Sequence, residues 1–330
     1  MAPLRLTLAC WDYDRTRALA DGRIRPDGIE LNCLALPVEE TFFRMLRHRE
    51  FDVAEMSLSS YVLSLVQDDP PFIAIPVFPS RAFRHSCIYV HAGSGIRSPR
   101  DLIGRRVGCP EFQLTACVWI RGTLADDHGV AVPSVVYVVG GQEEPGRPEK
   151  LRLDLPASIG IERIGPDETL ASMLARGAID ALYTPRTPST FLDGRGRVAR
   201  LFDDFAAIER EYFRRTGIFP IMHVVAIRRD VYERHRWIAQ SLQKAFAAAQ
   251  RETYAALAET AALKTMLPWL TSYVEETRRE MGDDFWPYGL DRNRHALSTF
   301  LRYSHDQGLA KRLLAPEELF APETLESFRI

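Results

Sequence analysis

The segment SPRDLIGRRVGCPE, residues 98–111, decides the fold of this chain. It predicts a short capped helix, a glycine turn and a strand, because Ser-Pro marks a helix start and the later glycines mark turns. The residues that follow predict a helix over 115–130 and a strand over 134–141. Helices that alternate with short strands in this way are typical of α/β architecture.

The same alternation extends in both directions from this segment. Strands are predicted at 4–10, 51–56, 72–78 and 222–227, and helices at 38–48, 57–66 and 231–267, with a helix and a strand together over 166–185. Residues 141–157 are rich in Pro, Gly and charge, which predicts an exposed excursion. The pattern indicates two α/β units, the first of which is completed by residues that follow the second in sequence.

Composition limits the class of protein. The 330 residues are 46% hydrophobic and 26% charged, with a formal net charge of -2, which fits a globular protein of about two domains. Nucleic-acid-binding proteins usually carry a basic excess, so the near-neutral balance argues against that class. No run approaches the roughly 18 apolar residues of a membrane span.

Cysteine usage and the N-terminal residues predict a cytoplasmic location. The five cysteines are scattered and form no CxxC pair, which suits a reducing compartment better than a disulfide framework. The first residues, MAPLRLTLACWDYD, hold too short an apolar run for a secretory signal and no cleavage site.

Several long segments carry a resemblance to a known family. They are SRAFRHSCIYVHAGSGIRSPRDLIGRRVGCPEFQLTACVWIRGTLADDHGV at 80–130, GGQEEPGRPEK at 140–150, YTPRTPS at 183–189, GIFPIMHVVAIRRD at 217–230 and WPYGLDRNRHAL at 286–297. Together they resemble the 4,5-dihydroxyphthalate decarboxylase family, which is built on the type 2 periplasmic-binding-protein fold. The resemblance implies an α/β protein of two lobes with a ligand cleft between them. We place lobe I at 1–92 plus 222–330 and lobe II at 93–221.

The resemblance also implies a small aromatic carboxylate as substrate, and that ligand needs cationic partners. Arginine suits a carboxylate because its planar fork gives bidentate, charge-assisted hydrogen bonds. Arg81, Arg84 and Arg186 are the candidates. Arg81 and Arg84 lie three residues apart, so in an extended chain only one would face the cleft, and the sequence does not choose between them. Surface ion pairing is the alternative for each.

Polar and aromatic residues at predicted strand and helix ends complete the binding candidates. Helix N-termini favour anions, although plain N-capping is the commoner role of Ser and Thr there. The candidates are Ser57 and Ser59 at one helix start, Gln113 and Thr115 at another, Tyr183 and Thr184 after a strand, and Asp12 and Trp11 after the first strand.

Decarboxylation of an aromatic ring without a cofactor needs a proton donor to the ring carbon. His85 is the first choice as general acid and His223 the second, because imidazole exchanges protons near neutral pH. Glu111, or one of the aspartates, would polarise the substrate hydroxyl. A buried structural histidine and a capping or solvated carboxylate are the alternative roles.

The motifs of cofactor and metal sites are missing from the sequence, which has no HExxH, GxGxxG, P-loop or zinc-type Cys-His spacing. A reaction without cofactor or metal is therefore the expectation. A homo-oligomer stays open. The rival hypotheses are a solute receptor that binds a carboxylate without chemistry, for which an export signal would be the discriminator, and another lyase or a sensor on the same fold.

Overall fold

The computed structural model describes residues 2–326, and the chain divides into two compact units. Unit 1 comprises residues 2–81, 221–298 and 314–326, and unit 2 comprises residues 82–220 and 299–313. No helix in the described part of the chain is both long and apolar enough to cross a membrane.

Unit 1 is built on a five-stranded mixed sheet in the order β2-β1-β3-β11-β4. The strands are β1 (Leu4–Cys10), β2 (Ile29–Ala35), β3 (Val53–Ser57), β4 (Phe72–Ile75) and β11 (His223–Arg228). β1 is parallel to β2 and β3, whereas β11 is antiparallel to both β3 and β4. β11 follows residues 82–220 in sequence, and it lies in the sheet between β3 and β4, which precede them.

Unit 1 also contains α-helices. They are α1 (Asp14–Ala20), α2 (Val38–His48), α3 (Leu58–Leu65), α8 (Arg229–Arg234), α9 (Ile238–Ala258) and α10 (Leu270–Met281), together with the first residues of α11 (Arg294–Asp306). Leu242 and Phe246 on the apolar side of α9 belong to the same hydrophobic core cluster as residues of β1 and β11. The single helix predicted over 231–267 is wrong, because α8 ends at Arg234 and α9 ends at Ala258.

Unit 2 contains a six-stranded sheet in the order β10-β5-β9-β6-β7-β8. The strands are β5 (Ile88–His91), β6 (Arg106–Cys109), β7 (Val136–Val139), β8 (Ile161–Arg163), β9 (Ala181–Tyr183) and β10 (Val198–Arg200). β6 to β9 are mutually parallel, and β5 is antiparallel to β9 and β10. The helices are α4 (Thr115–His128), α5 (Leu170–Ala175), α6 (Ser189–Leu192) and α7 (Phe205–Thr216).

The contact boundaries of the two units differ from the predicted lobe boundaries. Residues 82–92, which the sequence analysis placed in lobe I, belong to unit 2 because β5 pairs with β9 and β10. Residues 299–313 also belong to unit 2, because Phe300 packs on Trp119 and Gln307 accepts a hydrogen bond from Arg121.

The segment SPRDLIGRRVGCPE folds as its pattern predicts. Ser98 and Asp101 form a capping box around the 3-10 helix Pro99–Leu102, Gly104 adopts a φ of 78° that favours glycine, and β6 follows. α4 then begins at Thr115, so this stretch supplies one strand, one turn and one helix start of unit 2.

Candidate functional site

One edge of the unit 1 sheet gathers polar groups from strands far apart in sequence. β1 and β3 are parallel and end at this edge, and the antiparallel β11 begins there, with His223 paired to Ser57. His223 and Glu55 lie on the same face of the sheet, because Glu55 pairs with Val225, two residues beyond His223. The topology alone therefore brings an imidazole and a carboxylate together.

The carboxylate of Glu55 contacts four groups at this edge, and this cluster is called the Glu55 hub. Its other members are Cys10, Trp11, Tyr13 and His223. The Glu55 side chain is fully buried, and Oε1 lies 2.6 Å from Nδ1 of His223 and accepts a 2.6 Å hydrogen bond from the hydroxyl of Tyr13. Oε2 accepts hydrogen bonds from the Trp11 backbone N–H at 3.0 Å and from the Cys10 thiol at 3.5 Å. Burial acts to raise the pKa of Glu55, but the charge of His223 and these hydrogen bonds outweigh it and lower the pKa. The carboxylate is therefore ionised at neutral pH.

This carboxylate fixes the tautomer of His223. An ionised carboxylate can only accept, so Nδ1 must carry a proton and donate it to Glu55. The second ring nitrogen, Nε2, is then the atom that gives or takes a proton in exchange with a ligand. The ring is edge-on to Phe42 at 4.9 Å between centroids, and the side chain is 16% exposed, so the imidazole is held but reachable.

Arg15 adds a cation to the same unit. Its guanidinium lies between two aromatic rings, 4.1 Å from the Tyr13 centroid and 4.3 Å from the Trp286 centroid. Its Nε donates a 2.6 Å hydrogen bond to the carbonyl of Pro79, which fixes its direction. These contacts link the arginine to the Glu55 hub through Tyr13.

Four other predicted residues of unit 1 lie in the segments that meet near this edge. The Trp11 indole is 44% exposed, and it is the backbone N–H of Trp11 that contacts Glu55. Asp12 is exposed and pairs with Arg17 at 3.1 Å, so it lies outside the Glu55 hub. Ser57 and Ser59 are buried at the end of β3 and the start of α3.

Arg81 is fixed within unit 1. It is 6% exposed, and its Nη2 donates to the carbonyl of Pro287 at 2.8 Å and to the side chain of Asn293. Burial lowers the pKa of Arg81 to about 9. These contacts give Arg81 a role in anchoring residues 287–293, beside its predicted role as a ligand cation.

The unit 2 sheet has a comparable edge, where parallel β6, β7 and β9 end. The turn before antiparallel β5 lies at the same edge, because Ile88 pairs with Tyr183 and the Cys87 carbonyl accepts from the Thr184 N–H at 3.1 Å. The predicted residues Glu111, Gln113 and Thr115 follow β6 here and are all buried. Thr115 is the first residue of α4, whose 14-residue length gives its N-terminus a useful positive potential.

Glu111 holds two cations of unit 2. Its fully buried Oε1 accepts hydrogen bonds from Arg147 at 2.6 and 2.9 Å, and from the buried ammonium of Lys150. Glu149 is nearby, and its Oε1 accepts from the Phe112 N–H at 2.5 Å. Burial raises the pKa of Glu149, and the charge of Glu111 adds to this effect. The prediction that 141–157 is an exposed excursion is therefore wrong at Lys150.

β9 leads into the remaining predicted residues of unit 2. Tyr183 is 1% exposed, and burial raises its pKa. Thr184 is buried and donates to the side chain of Gln142, and its hydroxyl accepts from the Arg186 N–H at 3.2 Å. The Arg186 side chain is exposed.

His85 occupies a different environment from the one expected of a general acid. Its ring packs against Tyr212 at 5.1 Å and Phe202 at 5.8 Å, and its Nδ1 has no hydrogen-bond partner among residues 2–326. Burial lowers the pKa of His85 to about 4, so its imidazole is neutral at pH 7. His85 and Arg84 line a cavity of about 10 Å³ beside Trp119, which is room for one water at most.

Several of these residues were not predicted from the sequence. Glu55 and Tyr13 complete the His223 cluster, and Arg147 and Lys150 complete the Glu111 cluster. A signal for Glu55 existed, since it is an acidic residue at a core-facing position of the strand FDVAEM. Within the described residues no group of three or more His, Cys, Asp or Glu side chains is arranged to hold a metal ion.

Comparisons with solved structures identify the fold. The chain is similar to a periplasmic sulfonate-binding protein from Methylobacillus flagellatus, with a TM-score of 0.55 and 15% identity over 98% of this chain and 93% of that one. It is similar to the periplasmic aliphatic sulphonate binding protein of Escherichia coli, with a TM-score of 0.54 and 12% identity over 98% of this chain and 99% of that one. Such low identity establishes the fold alone, and the predicted two-lobed periplasmic-binding-protein fold is confirmed.

Comparisons of sequence identify the family. No protein-family model matches the chain. A 4,5-dihydroxyphthalate decarboxylase of Comamonas testosteroni is 42% identical over 330 residues, which is 100% of both chains. One of Pseudomonas putida is 45% identical over 214 residues, which cover 65% of this chain and 83% of that protein. Similarity of this level over the whole length means that the chain belongs to the 4,5-dihydroxyphthalate decarboxylase family.

Proposed function

We propose that this protein removes one carboxyl group from 4,5-dihydroxyphthalate, or a close analogue, and releases protocatechuate and CO2 without a cofactor. The relatives named for this reaction, one of them aligned over the full length of the chain, support the substrate and the activity. The five cysteines are free thiols, which is typical of a reducing compartment, and we place the reaction in the cytoplasm.

The chemistry requires a proton at the carbon that loses CO2. Direct loss would leave an aryl anion in the ring plane, which the ring π-system cannot stabilise. If a proton adds to that carbon while a base takes the proton of the hydroxyl para to it, the ring becomes a dienone. The bond to the carboxylate then breaks, its electron pair returns to the ring, and CO2 leaves. The phenolate that results takes the proton back from the base and the phenol reforms.

We assign the proton transfer to His223. The contact that carries this assignment is the 2.6 Å pair between Nδ1 and the buried Glu55 carboxylate. That pair keeps a proton on Nδ1, so Nε2 is the ring atom that can exchange a proton with the substrate. His85 is the weaker candidate, because a pKa of about 4 leaves it without the proton to donate at neutral pH.

We assign carboxylate binding to the cationic edge of unit 2. Arg147 and Lys150 are held by Glu111, the side chain of Arg186 is exposed, and the N-terminus of α4 supplies backbone N–H groups. In this role Glu111 orients two cations, in place of the base function predicted from sequence. Arg84 and Arg81 remain further candidates for binding a carboxylate of the substrate.

Turnover of 4,5-dihydroxyphthalate by the purified chain tests the function, with protocatechuate followed by chromatography and CO2 by trapping. His223→Gln is expected to lower kcat by about 10² to 10⁴ while the thermal shift caused by substrate persists. His85→Gln is the matched control, because it removes an imidazole that packs against Tyr212 and Phe202 in unit 2. It is expected to keep kcat within a few-fold of wild type.

Two results would contradict these assignments. Ligand binding without any product at high protein concentration would favour the receptor hypothesis. Full activity of His223→Gln together with loss in His85→Gln would reverse the choice of proton donor. Arg186→Gln separates binding from chemistry, since a contact to the ground-state carboxylate raises KM with kcat little changed.

A further inference from the structure

Arg15, the second residue of α1, lies at the same edge of the unit 1 sheet as the Glu55 hub. It follows β1 closely in sequence, and its Nε donates to the carbonyl of Pro79, which follows β4. β1, β3 and β4 run in the same direction, because β1 is parallel to β3 and β11 is antiparallel to both β3 and β4. The carboxyl ends of these strands therefore meet at one edge, and open α/β sheets bind their ligands outside such ends.

Tyr13 connects this arginine with the proton-transfer residue. The Tyr13 ring centroid lies 4.1 Å from the guanidinium carbon of Arg15, and the Tyr13 hydroxyl and Nδ1 of His223 both lie 2.6 Å from Oε1 of Glu55. The side chains of Arg15 and His223 are each 16% exposed. A single tyrosine side chain thus separates a reachable cation from the His223–Glu55 pair.

The guanidinium of Arg15 is held in one orientation. Its Nε donates a 2.6 Å hydrogen bond to the Pro79 carbonyl, and its carbon lies 4.3 Å from the Trp286 ring centroid. Trp286 is itself fixed, because its indole N–H donates to the carbonyl of Phe78 at 2.8 Å. A side chain that is already ordered loses less conformational entropy when it binds a ligand. Its contacts with two aromatic rings also leave the guanidinium less hydrated than a surface arginine.

One end of this guanidinium has spare hydrogen-bond donors. Nη1 contacts the exposed Asp14 carboxylate at 3.0 Å, which is a weak type of ion pair, and Nη2 has no hydrogen-bond partner among residues 2–326. Arg229 shows the contrast with a purely structural arginine of the same unit. Its Nε donates to the carbonyl of Pro70 and its Nη2 to the carbonyl of Phe72, so both ends are used by the backbone. Nη2 of Arg15 is instead left for a ligand acceptor.

The substrate assigned above requires more than one cation. A phthalate carries two carboxylates on neighbouring ring carbons, and placing both charges in a partly dry site is costly unless each has a hydrogen-bonded partner. If Nε2 of His223 faces the carbon that loses CO2, both carboxylates lie close to the edge that carries His223. Arg15 is the held cation of that edge.

We propose that Arg15 binds one of the two carboxylates of the substrate, in addition to the cations assigned above, and that it thereby selects phthalates over benzoates. This role deepens the proposed function and rests on it, because the ligand is the ring that His223 protonates.

Isothermal titration calorimetry of the full chain with phthalate and with benzoate tests this role. Phthalate lacks the hydroxyl that the proposed reaction needs, so binding is measured without turnover. The wild type is expected to bind phthalate about tenfold or more tightly than benzoate, since a hydrogen bond to a charged group has about this effect on affinity. Arg15→Met is expected to weaken phthalate binding by about ten- to a hundredfold and to reduce the preference for phthalate to less than about threefold.

Arg17→Met is the matched control, because it removes a cation from the same helix. Arg17 is exposed and pairs with Asp12, and the preference for phthalate should not change in this variant. Arg15→Lys keeps the charge but cannot donate to Pro79 and to a ligand with one planar fork, so it should keep only part of the preference. If Arg15→Met fails to fold, Arg15→Lys provides the test, and an unchanged preference there would overturn the inference.

The outcomes separate this role from a structural one and from the proposed function. An arginine that only anchors Pro79 would lower the free energy of unfolding when replaced and leave the preference unchanged, and that result would overturn the inference. Equal affinity of the wild type for phthalate and benzoate, or an equal loss in Arg17→Met, would overturn it as well. A chain with an Arg15-dependent preference that does not decarboxylate 4,5-dihydroxyphthalate would contradict the proposed function alone. A chain that turns over this substrate with an unchanged preference in Arg15→Met would contradict the role of Arg15 alone.

Discussion

Replacing Glu55 by glutamine exchanges one oxygen acceptor of the hub for a hydrogen-bond donor. Four groups donate to the carboxylate: the Trp11 N–H, the Cys10 thiol, the Tyr13 hydroxyl and Nδ1 of His223. A backbone N–H cannot accept, so the amide oxygen must face Trp11 and the NH2 group must face Tyr13 and His223. The hydroxyl of Tyr13 can rotate to accept. His223 can accept only if its proton moves from Nδ1 to Nε2, so Glu55→Gln inverts the tautomer.

The expected loss follows from the number and kind of these contacts. Hydrogen bonds to charged groups contribute about 1.5–3 kcal/mol against about 0.5–1.5 kcal/mol for neutral ones, while removing a buried charge relieves desolvation. We therefore expect the free energy of unfolding to fall by only about 1–2 kcal/mol. The effect on kcat is expected to be much larger, about 10² to 10⁴, because the amide no longer holds the proton on Nδ1 and so removes the arrangement in which Nε2 exchanges a proton with the substrate.

Steady-state kinetics and nitrogen NMR with labelled histidine measure the two effects. In wild type the Nδ1 of His223 should carry the proton, and in Glu55→Gln the Nε2 should carry it in the neutral ring. Tyr13→Phe is the matched control, because it removes one donor and leaves the carboxylate charged, and it is expected to lower kcat by less than about tenfold. Turnover of Glu55→Gln within threefold of wild type, or an unchanged tautomer, would refute the reasoning.

Three further predictions concern the stability of unit 2. The pKa of His85 falls from 6.5 in the unfolded chain to about 4 in the fold, so as pH falls the unfolded state binds the proton first. Stability is therefore lost between about pH 6.5 and pH 4. Urea unfolding should show a decrease of up to about 3 kcal/mol in the free energy of unfolding over this range, and His85→Gln should not show it. Glu111→Gln leaves the buried Lys150 and the partly exposed Arg147 without their anion and should destabilise by about 3–5 kcal/mol. Adding Lys150→Met should recover part of this loss, and strict additivity of the two changes would contradict the pairing. A Cβ at Gly122 would lie 2.2 Å from the ring of Tyr303, which contacts Asp126 and Trp119. Gly122→Ala should therefore lower the free energy of unfolding by about 1–3 kcal/mol, although alanine has the better helix propensity. A melting temperature equal to or above wild type would show that the ring moves aside.

Local patterns predicted the elements that carry the candidate site. The strands over 4–10, 51–56 and 222–227 correspond to β1, β3 and β11, whose ends meet at the Glu55 edge. The helix expected from residue 115 begins there as α4. These predictions succeed because strand alternation and helix start signals act over a few residues. β2 has mixed burial and a weak pattern, so it was not predicted from the sequence.

The partners of buried charges could not be predicted in this way. Glu55 and His223 are 168 residues apart, and Glu111 and Lys150 are 39 apart, so no local signal joins either pair. Charge and proline content made 141–157 look exposed, although Glu111 neutralises its lysine in the interior.

The choice of His85 as proton donor had a local cause. A histidine directly before a strand suggests a side chain at a strand end. The 3-10 turn His85–Cys87 instead directs the ring onto Tyr212 and Phe202, which no pattern in residues 80–90 indicates.

The position of β11 between β3 and β4 sets an order of events during synthesis. β3 and β4 each lack the strand that pairs with one of their sides until residues 223–228 have been synthesised. Until then a nascent chain of about 220 residues presents two unpaired apolar strand edges, which are the surfaces that aggregate most readily. Truncated products that stop short of β11 should therefore depend on chaperones, and formation of the His223–Glu55 pair marks a chain that has passed this stage.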